Sequence, residues 1–143
     1  FAGRHAPDVD VPFLLMEAHH ADEPTRTVYD DVKAKLGLPF VNTDYRALAR
    51  WPSYFALAWD DLAAVVATAD YERLVAETHA QIVAAACALP NPQGLSGADL
   101  REAAVADAPA AEVLAVTRLF QWLLPGLLMN VAYLRHQLGQ GGS

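Results

Sequence analysis

The sequence is poor in several residue types, and each shortage excludes a class of protein. A single cysteine, Cys87, cannot form a disulfide within the chain, and its apolar neighbours predict a buried, inert thiol. Ten Lys and Arg against 17 Asp and Glu leave a net charge of −7 with no basic cluster. Phosphate backbones and anionic lipids would be repelled. We therefore expect neither a nucleic-acid partner nor a membrane partner.

Long hydrophobic runs and strand patterns are also scarce. The longest apolar stretch, residues 119–134, is shorter than a bilayer span and is interrupted by Gln121, Pro125 and Asn130, so a buried helix is predicted there. Apolar residues recur at spacings of three and four throughout, in a sequence rich in alanine. No leader that is basic and then apolar precedes them, and the cytoplasm is the simplest location.

These patterns predict an all-α fold: a single compact helical domain, residues 1–143, of about five to six helices. Residues 1–21 are predicted to form an extended arm, and residues 139–143 a flexible tail. Capping and stop signals give the expected helix limits. They are Asp22 (cap) to Gly37 (stop), Asp44 to Trp51, Pro52 to near Thr68, Asp70 (cap) to Leu89, a short helix capped by Ser96, and Ala110 to Leu138. The last helix is predicted to be long, central and kinked at Pro125.

Asn130 is the strongest anomaly in the sequence. It lies in an apolar helix segment, where an unpaired amide costs roughly 1–3 kcal/mol. Tyr133 and Gly126 fall on the same helix face, so this face has room for a small molecule. The alternative, favoured from spacing alone, is that Asn130 bonds a carbonyl freed by Pro125 or fixes helix register.

Asp44 is the second anomaly. The triplet Asn42-Thr43-Asp44 precedes a helix and lies between the apolar Phe40-Val41 and an aromatic-rich segment. A carboxylate beside apolar surface resists ionisation and becomes a better base for water, which makes Asp44 a candidate general base. A plain helix-capping cluster suits the same residues.

Other residues that could bind a metal, catalyse a reaction or attract a substrate form no clear motif in the sequence. Glu17, His19 and His20 carry metal-capable groups, but no second cluster supplies the remaining ligands, so no metal site is predicted. The motifs of serine hydrolases, nucleotide-binding proteins and zinc enzymes are absent. Arg46 and Arg50 could attract an anionic substrate, although a solvated helix face is the favoured explanation of two such arginines.

The segment from Val41 to Leu62, VNTDYRALARWPSYFALAWDDL, resembles the signature segment of the DehI-type 2-haloacid dehalogenases, which are also catalogued as halocarboxylic acid dehydrogenase DehI. The resemblance extends back through residues 27–39 and, more weakly, forward to residues 125–133. It implies an all-α hydrolase without cofactor or metal, in which an aspartate activates a water that displaces halide directly from a short 2-haloacid.

Carried onto this chain, the resemblance places the catalytic aspartate at Asp44 and an asparagine that helps to hold the water at Asn130. Thr43 and Tyr133 become substrate-binding residues, and Trp59 a candidate halide contact. Family members carry two such helical repeats, whereas this chain carries one. A complete site would then need a homodimer, in which Asp44 of one subunit meets Asn130 of the other.

Two alternatives remain open at this point. One is a non-catalytic helical module that dimerises or binds a small ligand, similar to alkylhydroperoxidase-D-like proteins but lacking their redox cysteines. The other is lyase or isomerase chemistry on another 2-substituted acid, with the same carboxylate acting as a base on carbon.

Overall fold

The computed structural model describes residues 13–139, which form six α-helices and no β-strand. The helices are α1 (Glu23–Leu36), α2 (Thr43–Leu48), α3 (Pro52–Val66), α4 (Ala69–Cys87), α5 (Gly97–Val105) and α6 (Ala110–Gly139). The predicted all-α class, the helix number and the long C-terminal helix are confirmed. Residues 1–12 of the predicted arm and residues 140–143 of the predicted tail lie outside the described residues.

The chain divides into two units, Phe1–Ala64 and Val65–Ser143. The first contains α1, α2 and most of α3, and the second contains α4, α5 and α6. The organisation of residues 1–143 as one repeat domain stays a prediction.

Aromatic side chains form the core of the first unit. Tyr29, Tyr45 and Phe55 are each at most 2% exposed. The rings of Tyr29 and Phe55 meet edge to face with centroids 6.0 Å apart, and those of Tyr45 and Trp59 do so at 5.9 Å. Such pairs add about 0.5–1.5 kcal/mol each beyond the burial of their area. One residue from α1, one from α2 and two from α3 therefore fix these three helices together.

Helix α1 begins and ends at the predicted residues. The Asp22 carboxylate accepts a hydrogen bond from the backbone amide of Thr25 at 2.9 Å, and Pro24 occupies the first turn. Gly37 ends the helix with φ of 63°, a left-handed conformation that favours glycine.

Helix α2 has six residues, too few to be stable alone, and the segment before α1 holds it in place. The Met16 amide donates to the Arg46 carbonyl at 2.9 Å, and the Tyr29 hydroxyl donates to the Met16 carbonyl at 2.7 Å. The Arg46 guanidinium donates to both Glu17 carboxylate oxygens, at 2.7 and 2.8 Å. Residues 13–22 carry no helix or strand.

In the second unit, the start of α4 differs from the prediction. Thr68, rather than Asp70, is the N-cap, and its Oγ1 accepts from the backbone amide of Tyr71 at 3.2 Å. Asp70 lies in the first turn, where its charge favours the helix dipole. Helix α5 begins as predicted, with Ser96 and Asp99 forming a capping box.

Apolar side chains of the second unit are widely exposed, which differs from the prediction. Helix α4 buries no residue, and the Cys87 thiol is exposed rather than buried. Helix α6 was expected to be covered on nearly all sides, yet its buried residues are limited to Leu123, Pro125, Asn130 and Leu134. The reason is that the apolar surface of α6 extends around most of the helix, and α4 and α5 cover only part of this surface.

Helix α6 continues through Pro125 as an α-helix. The predicted kink at this residue stays a prediction. Within residues 13–139, α6 is also the one helix long and apolar enough to cross a bilayer by length and composition, with 11% of its most apolar window buried. That criterion alone is weak evidence for a membrane helix.

Candidate functional site

Asp44 is the second residue of α2, and its carboxylate is enclosed by protein. Both oxygens are inaccessible to solvent, and neither has a hydrogen-bond partner of normal geometry among the described residues. Burial raises the pKa of Asp44 to about 6, while the backbone amides of Asp44 and Tyr45 lower it by a smaller amount. At neutral pH such a group is mostly ionised yet more basic than an exposed aspartate. These properties suit a general base.

Asn42 contributes a third buried oxygen next to the same helix start. It is the N-cap of α2, yet its side chain makes no capping hydrogen bond, and its Oδ1 is buried with no hydrogen-bond partner in the part of the chain that the structure describes. Asn42 at the N-cap and Asp44 in the first turn occupy the positions that a capping cluster would have, although the Asn42 side chain does not bond to the helix amides, and the capping interpretation stays a prediction. Buried acceptors of this kind require a hydrogen-bond donor.

In α2, Thr43 is exposed and Arg46 is half-buried. The Thr43 hydroxyl is 3.4 Å from Nη2 of Arg46, whose Nη1 is paired with Glu17. Arg50 lies over the ring of Trp51, with its guanidinium carbon 5.3 Å from the ring centroid. The Arg46 charge is therefore shared with a carboxylate, which weakens its predicted attraction for an anionic substrate.

Trp59 is a core residue of the first unit. Its side chain is 4% exposed, and its indole N–H donates to Oδ2 of Asp31 at 2.8 Å. Asp31 also accepts from Lys35 at 2.9 Å. The predicted halide contact of Trp59 stays a prediction, and it would have to use the ring, because the N–H is already bonded.

In the second unit, Asn130 is 1% exposed, and a residue from α4 bonds to it. The Tyr71 hydroxyl lies 2.8 Å from Oδ1 of Asn130 and 3.4 Å from the Gly126 carbonyl oxygen. Val75 also faces Gly126, so the room predicted over this glycine is filled by protein. Tyr133 is half-buried one turn further along α6.

The predicted site residues thus fall into two groups. Thr43, Asp44 and Trp59 lie in the first unit, and Asn130 and Tyr133 lie in the second. Among residues 13–139, no group of three or more His, Cys, Asp or Glu side chains is arranged to hold a metal ion.

Sequence reasoning missed the contact of Tyr71 with Asn130 and the unpartnered oxygen of Asn42. Tyr71 pairs with a residue 59 positions away, and no local pattern signals such a pair. For Asn42, the sequence signal that could have indicated this buried oxygen was the polar triplet at residues 42–44.

Comparison with known proteins agrees with the resemblance predicted from residues 41–62. No family model matches the chain. It is 40% identical over 124 residues to an (R)-2-haloacid dehalogenase of Pseudomonas putida, covering 87% of this chain and 41% of that protein. It is 52% identical over 84 residues to an (R)-2-haloacid dehalogenase of Rhizobium sp. (strain NHG3), covering 59% of this chain and 33% of that protein.

Solved structures show the same likeness. A D-2-haloacid dehalogenase in complex with L-LA matches with a TM-score of 0.73 and 36% identity, over 91% of this chain and 45% of that one. A mutant in complex with D-2-CPA matches with a TM-score of 0.70 and 36% identity, over 86% and 42%. The resemblance predicted from residues 41–62 is confirmed, and the chain spans less than half the length of these relatives.

Proposed function

We propose that this chain catalyses the hydrolytic removal of halide from short 2-haloalkanoic acids, with Asp44 as the base that activates water. The observation that carries this proposal is the Asp44 carboxylate, which is buried, has no hydrogen-bond partner of normal geometry within residues 13–139 and has a pKa raised to about 6. The names of the relatives support the substrate class and favour the (R) enantiomer.

In the proposed reaction, the water oxygen attacks C2 of the substrate from the side opposite the halogen. A C–O bond forms, the C–halogen bond breaks, and the halide leaves with the bonding electron pair. Asp44 takes the proton from the water, so that an inverted 2-hydroxyacid and a halide ion are the products. Asn130, Tyr133 and Thr43 would hold the water and the substrate in line, which supplies much of the rate. No step requires a cofactor or a metal.

The first experiment measures halide release from (R)- and (S)-2-chloropropionate. We expect release from the (R) form that is lost in Asp44→Asn while the helical circular dichroism spectrum is retained. Asp60→Asn, an identical change at an exposed residue of α3, is the matched control and should keep full activity. Full activity in Asp44→Asn would remove this carboxylate from the mechanism.

The active form is proposed to be a homodimer, in which Asp44 acts together with Asn130 of the partner subunit. Two observations favour a second copy. The relatives are more than twice as long as the part that this chain matches. In addition, α6 exposes large apolar side chains, among them Trp122 at 57% and Leu128 at 59%, that a second copy would cover.

Complementation between two inactive variants tests the shared site. Asp44→Asn and Asn130→Ala should each be inactive alone. In a mixed dimer, one of the two sites combines an intact Asp44 with an intact Asn130, so unfolding and refolding an equal mixture should restore about a quarter of wild-type activity. No recovery from a mixture that light scattering shows to be dimeric would contradict a site shared between subunits.

Location in the cytoplasm is part of the proposal. If the apolar face of α6 bound lipid instead of a second copy, the protein would float with phosphatidylcholine vesicles in a density gradient. We expect it to stay with the soluble fraction at twice the mass of one chain.

The hydrogen bond between Tyr71 and Asn130 favours a second candidate, a non-catalytic dimeric module that binds a small ligand, because it gives Asn130 a structural partner. Halide release distinguishes the two, since such a module would release none from either enantiomer. Lyase or isomerase chemistry would instead yield a product other than the 2-hydroxyacid.

A further inference from the structure

One side of α6 carries apolar residues at alternating steps of four and three positions. This α6 stripe begins at Val113 and ends at Leu138, and seven of its eight positions are apolar. Such spacing is the heptad pattern by which helices pack along one another. Val113 is 45% exposed, Leu124 48% and Leu138 61%, so much of the stripe is open to solvent.

The beginning of α6 is its most exposed part. Every residue from position 111 to position 118 is exposed, including Thr117, the one polar member of the α6 stripe. The Thr117 hydroxyl donates to the Leu114 carbonyl of its own helix at 3.0 Å. It can therefore enter an apolar contact without losing a hydrogen bond.

The α6 stripe is complementary to a reversed copy of itself. In an antiparallel pair centred between positions 125 and 126, Val113 faces Leu138, Phe120 faces Val131, and Leu124 faces Leu127. Larger side chains then lie opposite smaller ones, which keeps the layers similar in volume. Thr117, the smallest polar member, faces Leu134, which is 4% exposed and has little surface left to cover.

A parallel pair fits less well. It would set Phe120 against Phe120 and Thr117 against Thr117, so that a thick layer would lie beside a thin one. It would also bring the two positive helix N-termini together, whereas antiparallel packing places each N-terminus beside the negative C-terminus of the other helix.

The size of α6 suits a second copy of the same helix. Its 30 residues, at a rise of about 1.5 Å each and a width of about 10–12 Å, give one side of the helix an area of roughly 500 Å². Two copies would bury about 1,000 Å² in total, which is the lower bound for a specific interface.

We infer that α6 of one copy packs antiparallel against α6 of a second copy along the α6 stripe, with a two-fold axis beside positions 125 and 126. The inference rests on the proposed function, of which the homodimer is a part. It adds the contact surface, the orientation and the register of that dimer. Residues before Pro125 in one copy then contact residues after Pro125 in the other.

Cysteine cross-linking with a short bismaleimide tests the orientation. All variants carry Cys87→Ser, which removes the exposed native thiol. Leu124→Cys lies near the axis and should link to itself. Val113→Cys and Leu138→Cys should each fail to link alone and should link when they are mixed. Ala115→Cys, which is exposed on the opposite side of α6, is the matched control and should not link to itself.

Distances between nitroxide labels, measured by pulsed electron paramagnetic resonance, test the register. The two copies of position 113 should lie about 38 Å apart along the helix axis in the antiparallel pair. In a parallel pair they would be separated only by the distance between packed helices, about 8–10 Å. Labels on Leu124→Cys should lie much closer together than labels on Val113→Cys.

Self-linked Val113→Cys, or a short distance between its labels, would overturn the antiparallel packing. A chain that stays monomeric in light scattering, or that floats with phosphatidylcholine vesicles, would overturn the whole inference. Neither experiment measures turnover. A dimer that links as expected but releases no halide would leave the inference standing and overturn the proposed reaction, whereas a monomer that releases halide would do the reverse.

Discussion

Replacing Asp44 with asparagine should abolish activity and at the same time stabilise the folded protein at neutral pH. The folded state raises the pKa of this carboxyl from its ordinary 3.8 to about 6, chiefly through burial. Such a rise corresponds to about 3 kcal/mol by which ionised Asp44 opposes folding. The asparagine amide is also left without a full set of partners, so the expected gain at pH 7.5 is about 1–3 kcal/mol.

The gain should depend on pH in a defined direction. Between pH 3.8 and about 6, the folded state retains a proton that the unfolded state has lost. Wild-type stability therefore falls as the pH rises through this window, and the full penalty is present above it. The variant lacks this dependence, so the difference between the two proteins should be largest at pH 7.5 and should vanish below pH 4.

Urea denaturation followed by circular dichroism, at fixed protein concentration and at pH 4, 5, 6 and 7.5, measures the free energy of unfolding of both proteins. Asp60→Asn, the exposed control, should differ from wild type by less than about 0.5 kcal/mol at every pH. A variant at Asp44 that is no more stable than wild type at pH 7.5, or whose difference from wild type is the same at all four values, would refute the assignment of a desolvated base.

Three further predictions concern other parts of the molecule. kcat/KM for halide release should fall about tenfold per pH unit below pH 6, as Asp44 takes up a proton, and a profile flat to pH 4.5 would contradict this. Trp59→Phe, which removes the hydrogen bond to Asp31, should lower the free energy of unfolding by about 1–3 kcal/mol in urea titrations. Leu128→Glu should halve the mass measured by light scattering while helicity is retained, whereas an unchanged dimer would place the interface elsewhere.

Local signals were enough to predict most of the helix limits. Asp22 and Gly37 limit α1, and Ser96 begins α5, because caps and left-handed stops depend on side chains within a few positions. The cap of α4 was misplaced by two residues, since Thr68 and Asp70 are both suitable and only backbone geometry distinguishes them.

Long-range features could not be read in this way. The apolar spacing of α4 and α6 indicates which faces avoid water, but it does not say whether the covering surface belongs to the same chain. The exposure of Cys87 could therefore not be predicted from its apolar neighbours. For the candidate site, the apolar neighbours of Asp44 predicted its resistance to ionisation. The pairing of Tyr71 with Asn130 depends on the packing of α4 on α6, and no periodic pattern in the sequence predicts it.

Helix α2 is attached to residues 13–22. The position of Asp44, the proposed base, therefore depends on a segment without regular secondary structure. Because α2 is only six residues long, local opening of Met16 and Glu17 would release Arg46 and, with it, the helix that carries Asp44. The two segments should therefore open as one cooperative unit, with similar rates of amide hydrogen exchange. A protease that cuts before α1 would then loosen the base together with Tyr45, the residue that α2 contributes to the aromatic core.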